Sequence, residues 1–163
     1  MLTTVPLSAI EDAWHELYDT TEERAQELFS EFVREQPDAA AYLACAEEEI
    51  NVLDDRGFLM LYGVWAWLAC KLNGHDGTRI TATALAAAAE RNHADMMRMQ
   101  EDRSRQVMDA SAQFRADFRQ LPLLGAILHD VMEGQMESQS RQDDITGMIV
   151  LCVKSLLDCL DGT

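Results

Sequence analysis

Proline and glycine are scarce in this chain, 3 and 8 among 163 residues. That excludes a turn-rich fold and points to long regular elements. Alternating runs of Val, Ile and Thr are also missing, so strands are not expected. No apolar run reaches the roughly 20 residues that span a bilayer. The longest, Phe58 to Cys70, stops at 13 and contains Gly63. Basic residues are few, 13 against 29 acidic, for a net charge of −16. A surface so charged repels phosphate backbones and anionic lipid, and no Lys/Arg stripe offsets it. Nucleic acid and membrane are therefore not expected partners. A basic protein or a cation fits the charge, and plain solubility accounts for it too.

Further absences narrow the chemistry. The four cysteines, Cys45, Cys70, Cys152 and Cys159, form no Cys-x-x-Cys and no Cys/His cluster. Each falls in an apolar helical stretch and reads as a buried free thiol, which fits a reducing cytoplasm. The N-terminal MLTTVPLSAIEDAW lacks a basic stretch followed by an apolar one, so no secretory leader is expected. There is no Gly-x-Ser-x-Gly and no Gly-rich phosphate loop; Gly74-His75-Asp76-Gly77 lacks the Lys-Ser/Thr that would follow.

What the chain has is helix former: Ala, Leu, Glu, Arg and Met. Caps and periodicity place seven helices, at about 9–19, 21–35, 37–50, 55–73, 81 to at least 110, 122–137 and 144–160. Ser8 with Glu11 reads as a capping box, and Thr20-Thr21-Glu22-Glu23 repeats the device. Pro37 and Pro122 each read as the first residue of a helix, where a missing amide costs nothing. Asp54-Asp55 and Asp143-Asp144 read as helix openers rather than paired catalytic acids, since negative charge suits that end. Arg91, Asp95, Arg98, Asp102, Arg105 and Asp109 alternate in sign along one stripe of the fifth helix. Its opposite face runs Leu85, Ala89, His93, Met96, Gln100, Arg103, Val107, Phe114 and Phe118, apolar at both ends and polar in the middle.

The expected fold class is all-α: a single helical bundle, one domain over residues 1–163. It is read as two similar halves, about 8–74 and 81–163, related by a pseudo-two-fold internal repeat. Identities fall in one order at Arg34/Arg119, Pro37/Pro122, Ala41/Ala126, Leu43/Leu128 and Glu48/Glu133. They continue at Asp54/Asp143, Asp55/Asp144, Val64/Val153, Leu68/Leu157 and Cys70/Cys159. The helices at 55–73 and 144–160 are apolar nearly all round. Such helices belong in the middle of a fold, so the two should cover each other.

Three functional readings follow. The absence of a complete catalytic set, the acidic surface and the surplus of large apolar residues favour a non-enzymatic cytoplasmic interaction protein, self-associating or bound to a protein partner, with no cofactor. The first alternative is a metal-dependent hydrolase or oxidoreductase. Glu90-Arg-Asn-His93 places a carboxylate and an imidazole on one helix face, and His129 with Glu133 does the same. A magnesium ladder is less well formed: three residues beyond Glu47, Glu48 and Glu49 stand Ile50, Asn51 and Val52, leaving Glu23 and Glu27 with Asp54 and Asp55 as its remnants. In that reading the acidic run is a solvated helix end. The second alternative is a small-molecule binder using Trp65 and the polar middle of the fifth helix, Gln100 and Arg103.

Overall fold

A computed structural model describes residues 3–51, 58–75, 77–102, 119–134 and 142–162. Among these residues every regular element is an α-helix. There are seven: α1 (Leu7–Tyr18), α2 (Glu22–Glu35), α3 (Pro37–Asn51), α4 (Phe58–Leu72), α5 (Ala82–Asp102), α6 (Leu121–Gly134) and α7 (Gln142–Asp161). No described helix is long and apolar enough to cross a membrane.

Local chemistry explains most boundaries. Thr21 caps α2, its hydroxyl accepting from the Arg24 amide at 3.2 Å, and Glu22 and Glu23 fill the first turn. Pro37 is the first residue of α3, as expected. At the end of α4, Gly74 takes φ +87°. There the His75 amide returns to the Cys70 carbonyl at 3.0 Å and the Gly74 amide to Lys71 at 3.1 Å. Those two bonds are the Schellman ending that a left-handed glycine makes available.

Two starts differ from expectation. α1 begins at Leu7, so Ser8 lies inside the first turn and is no cap; Pro6 holds the cap position and its side chain makes no bond. The chain enters α1 along an extended segment fixed by distant residues, and that outranks the local capping pattern. α6 begins at Leu121, making Pro122 its second residue. Any first-turn amide lacks a helical acceptor, so proline is tolerated there too. α5 is described to Asp102; Arg105 and Asp109 of the charged stripe lie outside the described residues, as do Asp54 and Asp55. Within the stripe, Arg98 pairs with Asp95.

The two apolar helices do cover each other. α4 packs against α1, α2, α3 and α7, while α7 packs against α3, α4, α5 and α6. Every residue from Tyr62 to Cys70 is buried. Gly63 marks the close approach: a Cβ built there would drive into Leu43 Cδ1 of α3 and come within 3.8 Å of Leu156 Cδ2 of α7. Trp67, 1% exposed, packs against Phe32 of α2, and Lys71 Nζ lies 4.7 Å from the Trp67 ring centre.

Two helical glycines should respond to substitution with opposite signs. Gly63→Val overfills a packed contact and should cost about 1–3 kcal/mol. Gly125→Ala, in the exposed middle of α6 with no atom near the new methyl, should gain about 0.5–1 kcal/mol. Urea midpoints at constant m-value check both.

Candidate functional site

The sequence-selected residues do not assemble into one site. Trp65 is buried and its indole N–H donates to the Ile10 carbonyl at 3.0 Å, so its polar atom serves the α1–α4 contact. Gln100 lies in α5, and Arg103 lies outside the described residues. Glu90, His93, His129 and Glu133 are all exposed. His129 Nε2 and Glu133 Oε1 stand 3.7 Å apart on the surface of α6. Among the described residues no group of three His, Cys, Asp or Glu side chains is placed to hold a metal ion. Glu27 is paired to Arg24 at 3.2 Å, within a ladder in which Arg24 also meets Glu16 at 2.7 Å and Lys71 meets Glu35 at 2.8 Å. Glu47 is not a solvated end. It is half-buried, and burial raises its pKa.

The polar middle expected at Gln100 and Arg103 lies outside the described side chains; a separate polar cluster stands about two turns earlier in α5, at Asn92. His93 points to solvent, and Asn92, 3% exposed, faces the core. Its amide nitrogen donates to Ser155 Oγ at 3.1 Å and to Asp158 Oδ2 at 2.9 Å. Lys154 Nζ donates to Asn92 Oδ1 at 2.7 Å and to Asp158 Oδ2 at 2.9 Å. Ser155 Oγ donates to the Leu151 carbonyl at 2.7 Å. The serine hydrogen is committed to its own helix and no base receives it, so these bonds describe a lock between α5 and α7 rather than a nucleophile.

Two buried glutamines form a second arrangement that the sequence reading missed. Gln36 (0% exposed) precedes α3, and Gln120 (1% exposed) precedes α6. Gln36 Nε2 donates to the Thr78 carbonyl at 2.9 Å, and its Oε1 accepts from the Ile80 amide at 2.8 Å. Gln120 Nε2 donates to the Thr3 carbonyl at 3.2 Å, and its Oε1 accepts from the Val5 amide at 3.0 Å. Each glutamine thus grips an extended Thr-x-(Val/Ile) segment by its backbone. Ile80 and Val5 are buried, and a helix starts two residues beyond each. Asn73 adds bonds to Thr3, from Nδ2 to O at 3.3 Å and to Oγ1 at 3.1 Å.

A third feature reaches the surface where α1, α4 and α6 meet. Trp14 stacks on Tyr18 with ring centres 3.6 Å apart and lies 4.4 Å from Trp65. Tyr62 donates to Asp130 Oδ2 at 2.9 Å. Burial, then the Asp130 charge, pushes the Tyr18 phenol up to about 12. Tyr18 is still 42% exposed, and Leu7 on the same helix is 61% exposed. Leu7, Trp14 and Tyr18 follow helical spacing along one stripe. The surface groove lined by Glu23, Gln26, Glu27, Ser30, Glu31 and Arg34 is made by α2 alone and encloses nothing.

Comparison of the chain with protein-family models, curated proteins and solved structures gave no match.

Two outcomes are expected. Asn92→Ala removes the three bonds that tie α5 to Ser155, Asp158 and Lys154 of α7 and should lower stability by about 1–3 kcal/mol, read from urea unfolding. The second concerns alkali. Burial, then Asp161, raises the Cys70 thiol from the usual 9.0 to about 12, and Tyr18 rises from 10.0 to about 12. The unfolded chain loses these protons first. Stability should therefore hold below pH 9 and fall as pH climbs from 9 towards 12. A pH series of unfolding midpoints checks this; a flat profile contradicts it.

Proposed function

We propose that this chain works through protein–protein contact, in the first place with a second copy of itself. The observation that carries the reading is the Trp14–Tyr18 stack on α1, with Tyr18 and Leu7 open to solvent. Aromatic side chains that are rigid, half-buried and flanked by exposed aliphatics have the chemistry of interface anchors. Leu121, next in the chain to the glutamine that grips Val5, is a further exposed aliphatic, at 37%. The net charge of −16 sets a condition: like-charged copies repel until salt screens them, so an apolar contact must supply the attraction. The metal-dependent and small-molecule readings find less support, since Glu90, His93, His129 and Glu133 are surface residues and the Trp65 indole is already bonded. The four cysteines are free, but only Cys70 and Cys152 are buried as expected, Cys45 being exposed and Cys159 half-buried; free thiols fit a reducing, cytoplasmic setting.

The chain is also read as a duplication whose halves meet about an approximate two-fold axis. Support comes from the twin glutamines, which act across the seam: Gln36 holds the lead into α5, and Gln120 holds the lead into α1. Neighbours correspond as well. α1 on α4 matches α5 on α7, and α3 on α5 matches α6 on α1. Matching the glutamines sets Val5, Ile10, Ala13 and Leu17 against Ile80, Leu85, Ala88 and Asn92, all buried. It also sets Ala39, Ala40 and Leu43 against Leu123, Leu124 and Ile127, one residue out of step with the alignment on prolines.

Light scattering tests the functional reading. The mass should exceed that of the 18.3 kDa chain at tens of micromolar, and association should strengthen from 50 to 500 mM NaCl, where the Debye length shortens from about 14 to about 4 Å. Tyr18→Glu and Leu7→Glu should return the monomer with helicity intact. A wild-type chain that stays monomeric at high salt overturns the reading.

A further inference from the structure

One stripe of α1 is left over by the fold. The helix buries Ala9, Ile10, Ala13 and Leu17. Leu7, Glu11, Trp14 and Tyr18 run beside that face, within about 60° of arc. Leu7, Glu11 and Tyr18 are exposed, and Trp14 is half-buried. The polar groups in the middle of this stripe are idle. Among the described residues Glu11 has no hydrogen-bond or ion-pair partner. Trp14 Nε1 has none either and is open to solvent, whereas Trp65 Nε1 already donates to the Ile10 carbonyl. The indole that carries the free N–H is held in place by its contacts with Tyr18 and Trp65.

The stripe is self-complementary. Its steps of four, three and four read the same from either end, so a second α1 running the opposite way presents the same positions in reverse. About a two-fold axis midway between Glu11 and Trp14, Leu7 of one copy faces Tyr18 of the other, and Glu11 faces Trp14. Both pairs match in chemistry: an aliphatic side chain on an aromatic ring, and a carboxylate on an indole N–H. Parallel copies would instead set like on like, Glu11 against Glu11 included.

We propose that this chain associates by pairing the Leu7–Glu11–Trp14–Tyr18 stripe with itself, antiparallel, the Glu11 carboxylate of each copy accepting the Trp14 indole hydrogen of the other. The inference rests on the self-association reading and adds to it a register and a specifying bond. Copies that give and receive the same contacts make a closed arrangement, which stops at the dimer.

Light scattering at 500 mM NaCl reads the test. Removing a negative charge from a contact between chains of charge −16 ordinarily tightens it. Here Glu11→Ala should weaken dimerisation roughly tenfold or more, as loss of a bond to a charged acceptor does. Trp14→Phe keeps a ring and should weaken it as much, and the double variant should be no weaker than either single. Unchanged or tighter association of Glu11→Ala overturns the proposal. Leu7→Glu and Tyr18→Lys chains should each be monomeric and should dimerise when mixed, because opposite charges then meet at one end and the native leucine and tyrosine at the other. Leu7→Glu mixed with Tyr18→Glu should stay monomeric. Failure of the first mixture to associate, while both chains keep their helical circular dichroism, counts the register out. A cross-link stands apart from those variants. In a Cys45→Ser background, which removes the exposed native thiol, Leu7→Cys chain mixed with Tyr18→Cys chain should give a disulfide dimer on mild oxidation. Equal linking of Leu7→Cys chain to itself contradicts the antiparallel arrangement. A wild-type chain that dimerises while these tests fail loses the register and keeps the self-association reading; one that stays monomeric at high salt loses both.

Discussion

The packing of α4 on α7 is the constraint from which the rest follows. Neither helix has a polar face wide enough to meet water, and each is buried along most of its length. Gly63 lets α3 and α7 come close to α4, with Leu43 and Leu156 filling the space its side chain would take. The remaining helices form a jacket, α1 and α2 around α4, α5 and α6 around α7, with α3 touching both. Surface charge enters only outside this jacket, where it can be dense without entering the core.

Polar groups inside the jacket select one arrangement among many greasy ones. Leucine against leucine tolerates sliding, because dispersion contacts reform at nearly any register. Asn92, Ser155, Asp158 and Lys154 do not tolerate it: shifting α5 by one residue would leave several buried donors and acceptors unmatched. Gln36 and Gln120 do the same for the two extended leads. Specificity thus comes from a handful of amides and one buried ion pair, while cohesion comes from the aliphatic and aromatic residues.

The legibility of the sequence followed the range of the interactions. Helix class, Pro37 at the head of α3 and the stop at Asn73-Gly74 rest on neighbours within a turn, and the structure agrees with each, while the cap of α2 falls on Thr21, one residue after the start of the Thr20–Glu23 box. The pairing of the two central helices was legible because all-round apolarity leaves one outcome. The inward line of α5 was missed by a residue, at Asn92 instead of His93. Stepping Leu85, Ala89, His93 in fours advances 400° at a time and drifts about 40° per step around the helix, whereas the buried line runs Leu85, Ala88, Asn92. The glutamine clamps were out of reach of such reasoning. Glutamine is ordinarily a surface residue, and these partners lie 42 to 117 residues away in the chain.

The ties that Gln36 and Gln120 make to the two leads join carboxamides to peptide groups, and neither kind of group ionises in water, although Gln120 Nε2 also reaches Asp161 Oδ1 at 3.4 Å. Acidification neutralises the carboxylates that dominate the exterior and dissolves ladders such as Arg24 with Glu16 and Glu27. It leaves the fastening of the two leads untouched. The glutamine-to-backbone ties are thereby insulated from the charges of the exterior, whereas α5 is held by carboxylates as well, Asp38 at its first amide and Asp158 beside Asn92.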